Sequence, residues 1–197
     1  MTPLGRLPLE RGVVPFDIDS PPLPSSVVLD TSFVVDAMLT GQNRHSDASD
    51  YLAALATAGT TIYFNRLLEL EFAEAAYKIA LRERFGGKRD RKMRSDGRAL
   101  RRASRLYENL SSAWSGVLGA FTWGVIELHE VSRKVQPLMR RGLGSYDSVH
   151  AASALTIGVE YLVTTDSGFG LVRETDLKIL THSSLLVATR RHRQRNI

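Results

Sequence analysis

Hydrophobic and polar positions along this chain fall into two periods. Short β-branched and aromatic runs predict strands at Val27–Leu29, Thr60–Phe64, Val125–Glu130, Tyr161–Thr164 and Leu177–Leu180. Between them, helical spacing predicts helices over Thr31–Leu39, Ser46–Ala58, Arg66–Arg84, Lys92–Trp114 with a continuation toward Phe121, Ser132–Arg141 and Tyr146–Ile157. Gly41, Gly59, Gly86-Gly87 and Gly158 supply stops, and Asn65 and Ser145 stand where helix caps are wanted. Strands alternating with helices of this length predict an α/β fold with a parallel sheet covered on both faces.

The length of 197 residues fits one domain with a sizeable core. Six of the seven prolines fall in the first 24 residues, which divides the chain into a flexible proline-rich leader (1–25), a folded body (26–189) and a basic tail (190–197). No apolar run approaches the roughly 18 residues a membrane-spanning helix needs. The first residues also lack the apolar core of a signal peptide, so a cytoplasmic protein is expected. With no cysteine in the chain, disulfides, thiolate metal sites and a cysteine nucleophile are excluded.

Charge changes the picture more. The net charge is +5, but Arg82–Arg105 holds eleven Lys/Arg against three acids (Glu83, Asp90 and Asp96), and Arg190–Ile197 adds four Arg without an acid. The rest of the chain is therefore net acidic. An acidic body with two basic segments suggests a polyanionic partner held beside an acidic site.

That acidic site can be placed. In an open parallel sheet, ligands bind at the carboxyl ends of the strands. Asp30 closes one strand and Asp166 follows another by two residues, while Asp147 opens a helix and Glu69 or Glu71 lies in the first two turns of a further one. Carboxylates sharing a pocket repel and raise each other's pKa unless a cation sits among them. Oxygen donors of this kind suit Mg²⁺ or Mn²⁺, and one or two such ions suit phosphodiester hydrolysis. Singly, each acid has an ordinary role: Asp30 and Asp147 as helix-start residues, Asp166-Ser167-Gly168 as a turn. Their joint placement points to a site.

Four segments then resemble the motifs of PIN-domain ribonucleases. Val27-Val28-Leu29-Asp30-Thr31-Ser32 is similar to the opening motif, in which a strand ends in Asp with a small hydroxyl residue two positions on. Asn65–Ala76 is similar to the second, Gly144–Ala154 to the third, with its Asp opening an Ala-rich helix, and Leu162–Phe169 to the fourth, strand–Thr–x–Asp. The order and spacing of all four agree over about Val27–Leu180. The resemblance implies a Rossmann-like sheet sandwiched by helices, with a basic helical insertion at about 85–115. It further implies a site of one or two Mg²⁺ or Mn²⁺ ions and endoribonuclease activity. It assigns metal binding and catalysis to Asp30, Glu71, Asp147 and Asp166, with Ser32 and Thr164 as hydrogen-bonding supports. Glu71 is preferred to Glu69 because an apolar and then a small residue follow it. The two lie about 200° apart around the helix, so only one faces the pocket. Among PIN proteins the chain is most similar to VapC-type toxins, which implies tRNA or rRNA as substrate, a small antitoxin partner and a homodimer.

The basic segment offers Arg91, Lys92, Arg94, Arg98, Arg101, Arg102 and Arg105 as candidates for gripping an RNA backbone. Arg94, Arg98, Arg101 and Arg105 recur at helical spacing as one stripe. His150 reads as half-buried packing, Trp114, Phe121 and Trp123 as core or dimer-interface residues ahead of base-stacking ones, and Asp36 as a surface acid ahead of a place at the site's edge. Three other readings remain: a PIN nuclease of RNA maturation or quality control without an antitoxin, a non-catalytic RNA-binding PIN module, and a haloacid-dehalogenase-like phosphatase. The last wants a second Asp where Ser32 stands.

Overall fold

A computed structural model of the protein describes residues 12–86, 95–172 and 177–194. Along the chain run β1 (Val13–Pro15), β2 (Ser26–Leu29), α1 (Thr31–Met38), α2 (His45–Thr57), β3 (Thr61–Asn65), α3 (Leu67–Phe85) and α4 (Gly97–Ala120). They are followed by β4 (Trp123–Ile126), α5 (Leu128–Arg140), α6 (Ser145–Ile157), β5 (Tyr161–Val163), β6 (Lys178–Thr181) and α7 (Leu186–Gln194). The strands form one parallel sheet in the order β1-β6-β5-β2-β3-β4.

Period-two alternation decides which side chain enters which core. Val27, Leu29, Ile62, Phe64, Val163 and Leu180 point into one layer, where they meet Phe33, Leu55, Phe72 and Leu110 of α1–α4. Val28, Leu162 and Ile179 point into the other, against Val131 and Leu138 of α5 and Ala151 and Ala154 of α6. Both faces are therefore covered, as a parallel sheet requires. Among the described residues no helix is long and apolar enough to cross a membrane.

Three elements differ from expectation at the margins. Part of the proline-rich leader is built into the sheet: Val13 pairs with Ile179 and Pro15 with Thr181. Phe16 is buried, stacked on Tyr51 at 5.1 Å and edge-on to Phe33 at 5.4 Å. Proline is tolerated because β1 is an edge strand, where a missing N–H faces no partner. The basic C-terminal stretch opens inside α7, which is tied down by Thr189, a fully buried residue. The fourth strand comes earlier and shorter than predicted, at Trp123–Ile126, because the amphipathic helix α5 already begins at Leu128.

Trp114 is buried edge-on against Phe64 and Phe72, at 4.9 and 6.1 Å. It belongs to the core.

Candidate active site

From β2 the chain moves outward through β3 and β4 on one side, then returns to add β5 and β6 on the other, between β2 and the edge strand β1. The direction of winding reverses between β2 and β5, and a crevice opens there at the strands' carboxyl ends. Asp30 follows β2, with its backbone N–H donating to the Val163 carbonyl at 3.0 Å. Thr164, Thr165 and Asp166 follow β5. A cleft of about 570 Å³ at this point is lined by Asp30, Glu71, Asp147 and Asp166 together.

The Asp30 carboxylate is 4% exposed, and its two oxygens differ. Oδ2 accepts from Thr164 Oγ1 at 2.7 Å, from the Ser32 backbone N–H at 3.2 Å and from the Ser32 hydroxyl. Ser32 Oγ in turn accepts from the Thr165 N–H at 3.0 Å, and Thr164 Oγ1 accepts from the Asp166 N–H at 2.9 Å. Oδ1 faces His150 Nε2 at 3.6 Å. One oxygen is thus saturated by α1 and β5, and the other is directed inward. Burial pushes the Asp30 pKa up, against the opposing pull of His150, Ser32 and Thr164.

Glu71 projects from the second turn of α3. Its Oε2 accepts from Thr31 Oγ1 at 2.6 Å and lies 2.7 Å from His150 Nε2. Glu69, on another side of the helix, pairs with Arg66 at 3.3 Å.

Asp147, in the first turn of α6, is pushed up to about 6, first by burial and then by the negative charges of Asp30 and Asp166. Gly144 makes room for it: a Cβ there would lie 2.6 Å from Asp147 Oδ2. Asp166 is exposed and caps the following 3₁₀ turn, accepting from the Gly168 N–H at 2.7 Å.

His150, read from sequence as packing, is fully buried at the centre of this group. Asn65 Oδ1 accepts from the Leu67 N–H at 3.0 Å, which turns its amide nitrogen toward His150 Nδ1 at 3.2 Å. Nδ1 is therefore an acceptor and the ring proton sits on Nε2, directed at Glu71. Burial disfavours a second proton, while the Glu71 hydrogen bond and the carboxylate charges favour it, so the balance lies above the ordinary value. That proton has no acceptor, because the Asn65 amide occupies Nδ1. We assign the neutral Nε2–H form on that geometry.

Asp36, read as a surface acid, is buried and lines the cleft, 3.6 Å from Arg44. The cations lining the cleft are Arg44, Lys78 and Arg82. Arg98, Arg101, Arg102 and Arg105 of α4 are exposed but do not line it, and Arg102 is held by Glu83 through bonds of 2.8 and 3.0 Å. Arg91, Lys92 and Arg94 lie outside the described residues.

A family model for the PIN domain matches residues 27–174. The chain belongs to the PIN domain family. PIN domains are in general metal-dependent nucleases, and divalent ions such as Mg²⁺ are their usual cofactors. The match runs from β2 to just past the 3₁₀ turn that Asp166 caps, so β1, β6 and α7 lie outside it. No curated protein matches the chain. The donor set of this PIN domain fits such an ion: four carboxylates share a cleft, one Asp30 oxygen is free of hydroxyl donors, and the Asp147 pKa is held up by burial and by its acidic neighbours.

A second group, Asp17, Asp47 and His182, has ligand atoms within 4.8 Å of one another. It is closed by its own hydrogen bonds. His182 Nδ1 accepts from the Ser184 N–H at 3.1 Å, leaving the proton on Nε2, 2.9 Å from Asp47 and 3.3 Å from Asp17. This cluster fastens the segment after β1 to α2 and to the turn before α7.

Proposed function

We propose that the protein is an endoribonuclease that hydrolyses RNA phosphodiester bonds in the β2–β5 cleft, with Asp30, Glu71, Asp147 and Asp166 as the ligands of Mg²⁺ or Mn²⁺. The observation that carries this reading is the meeting of four carboxylates, from the ends of β2 and β5 and from α3 and α6, in one cleft. Asp147 is raised to about 6 by burial and by Asp30 and Asp166, so the site lacks a positive charge where its carboxylates meet. Bound divalent ions supply that charge, Lewis acidity toward the phosphodiester and an activated water. The chain's own groups fix the ligands. Ser32 and Thr164 hold one Asp30 oxygen, and the other, 3.6 Å from His150, carries no hydroxyl donor. Thr31 and His150 both donate to Glu71 Oε2 and leave Oε1 available. Asp166 stands at the exposed rim.

Purified wild type, Asp30→Asn and Asp147→Asn are incubated with total RNA in Mg²⁺, Mn²⁺ or EDTA, and new 5′ ends are mapped. Metal-dependent cuts at a few sites, absent from both variants, support the proposal. Folded wild type that cuts no RNA after removal of any co-purified inhibitor sinks it. The resemblance to VapC-type toxins extends the proposal to tRNA or rRNA targets, a homodimer and a small antitoxin. Mass spectrometry of the protein purified from its native source, with a small acidic or DNA-binding companion as the expected finding, tests the antitoxin.

A further inference from the structure

The cleft does not end at the carboxylates. It continues along α3, where Glu74, Ala75, Lys78, Ile79 and Arg82 line it after Glu71. Helical geometry sets Lys78 about 10 Å and Arg82 about 16 Å along the axis from Glu71, each within about 20° of its direction. Arg44, between α1 and α2, faces the same cleft. These cations are weakly neutralised. Arg82 has no ion-pair partner among the described residues, and Lys78 meets only Glu74, at 3.5 Å and with both groups exposed. Arg44 sits 3.6 Å from Asp36, and its Nε is buried without a hydrogen-bond partner. Tyr146, next to Asp147 in the first turn of α6, also lines the cleft and is 52% exposed.

We propose that this cleft is the path of an unpaired RNA strand, with Lys78, Arg82 and Arg44 holding backbone phosphates on the α3 side of the scissile bond and Tyr146 stacking on a base beside Asp147. The inference rests on the RNA reading of the carboxylate site and adds the strand's form and course. Cations beyond an acidic centre suit a polyanion whose neighbouring phosphates need neutralising while the reacting one does not. A volume of about 570 Å³ admits nucleotides of one strand, and a solvent-facing ring beside it gives a base somewhere to stack. The α4 stripe, outside the cleft, has no part in this path.

Fluorescence anisotropy with a labelled single-stranded oligoribonucleotide, in EDTA and at several salt concentrations, tests the path without turnover. Lys78→Ala/Arg82→Ala is expected to weaken binding and to lower the slope of log affinity against log salt by about 0.7 per lost phosphate contact. Tyr146→Ala is expected to weaken binding roughly 5- to 150-fold with the slope unchanged. Arg98→Ala/Arg101→Ala/Arg105→Ala is expected to leave both as in wild type. The path is overturned if the α4 variant takes the salt slope while the α3 variant keeps it, or if duplex RNA binds as well as the single strand. Wild type that binds through Lys78 and Arg82 but cuts nothing in Mn²⁺ supports the path and sinks only the catalytic reading. Wild type that binds no RNA in EDTA overturns the path, and cleavage in Mn²⁺ decides the catalytic reading separately.

Discussion

Glu71 Oε2 and His150 Nε2 lie 2.7 Å apart, although 79 positions separate them in the chain. Asn65 ends β3 and sets the His150 tautomer, α6 carries the ring, and α3 carries the carboxylate. His150 therefore acts as a positioning residue, holding one proposed ligand through a fixed N–H. Residues of this kind support metal affinity by roughly 10- to 100-fold. Calorimetric titration with Mn²⁺ should show His150→Leu losing affinity within that range, and His150→Gln, which keeps an N–H donor, recovering part of it. Equal affinity in wild type and the Leu variant would show that Glu71 needs no such support.

The raised pKa of Asp147 makes a prediction about the ion-free protein. Its folded value of about 6 lies above the ordinary 3.8, so the folded state holds the proton more tightly than the unfolded chain. Stability from this group is present below the unfolded pKa and is lost as pH rises through about 6. In EDTA, Asp147→Asn should therefore melt above wild type near about pH 8, and the gap should close toward about pH 4. Divalent ions should raise the wild-type melting temperature more near pH 8 than near about pH 5, where a proton competes for the carboxylate. A gap that stays constant across the range would assign the effect to packing.

What the sequence made legible follows from where elements begin and end. Asp30, Asp147 and Asp166 each mark the boundary of a strongly patterned strand or helix, and a parallel sheet brings such boundaries to one edge. The helical repeat allowed only one of Glu69 and Glu71 to face the pocket, the motif resemblance favoured Glu71, and the structure sets Glu71 in the cleft and Glu69 against Arg66. His150 was misread because burial among carboxylates is a long-range property, although its position three residues after Asp147 was a usable signal. Lys78 and Arg82 were passed over for the denser run of cations after them. Their phase with Glu71, at seven and eleven residues, was open to inspection. β1 was hidden by the prolines in and around it, and α7 by a charge pattern that reads as a solvated tail.

Gly144 separates the fold from the site. Its φ of −56° is open to any residue, but a Cβ would come within 2.6 Å of Asp147 Oδ2. The carboxylate is free to swing, so Gly144→Ala should keep the wild-type melting temperature to within about 0.5 kcal/mol of stability. Mn²⁺ affinity should nevertheless fall by roughly tenfold, since one donor leaves its place. A variant with reduced stability and unchanged affinity would place the strain in the backbone instead.

Gly170 presents the opposite case, because what its side chain would strike is backbone. A Cβ there would lie 2.0 Å from the Thr189 carbonyl oxygen and 3.1 Å from His192 Cβ, both on α7. Thr189 is fully buried and its hydroxyl donates to the Leu185 carbonyl at 2.9 Å, so α7 has no flexible tip to withdraw. Gly170→Ala should displace α7 from the 3₁₀ turn beneath it. Overpacking of this kind costs about 1–3 kcal/mol, or roughly 2–10 °C in melting temperature for a domain of this size. Hydrogen exchange should show where the loss falls: the amides of α7 should lose protection while those of β2 and β5 keep theirs, because the carboxylate-bearing strands do not lean on α7 for their pairing. Wild-type melting by the variant would contradict the close approach, and uniform loss of protection would mean that α7 belongs to the cooperative core of the sheet.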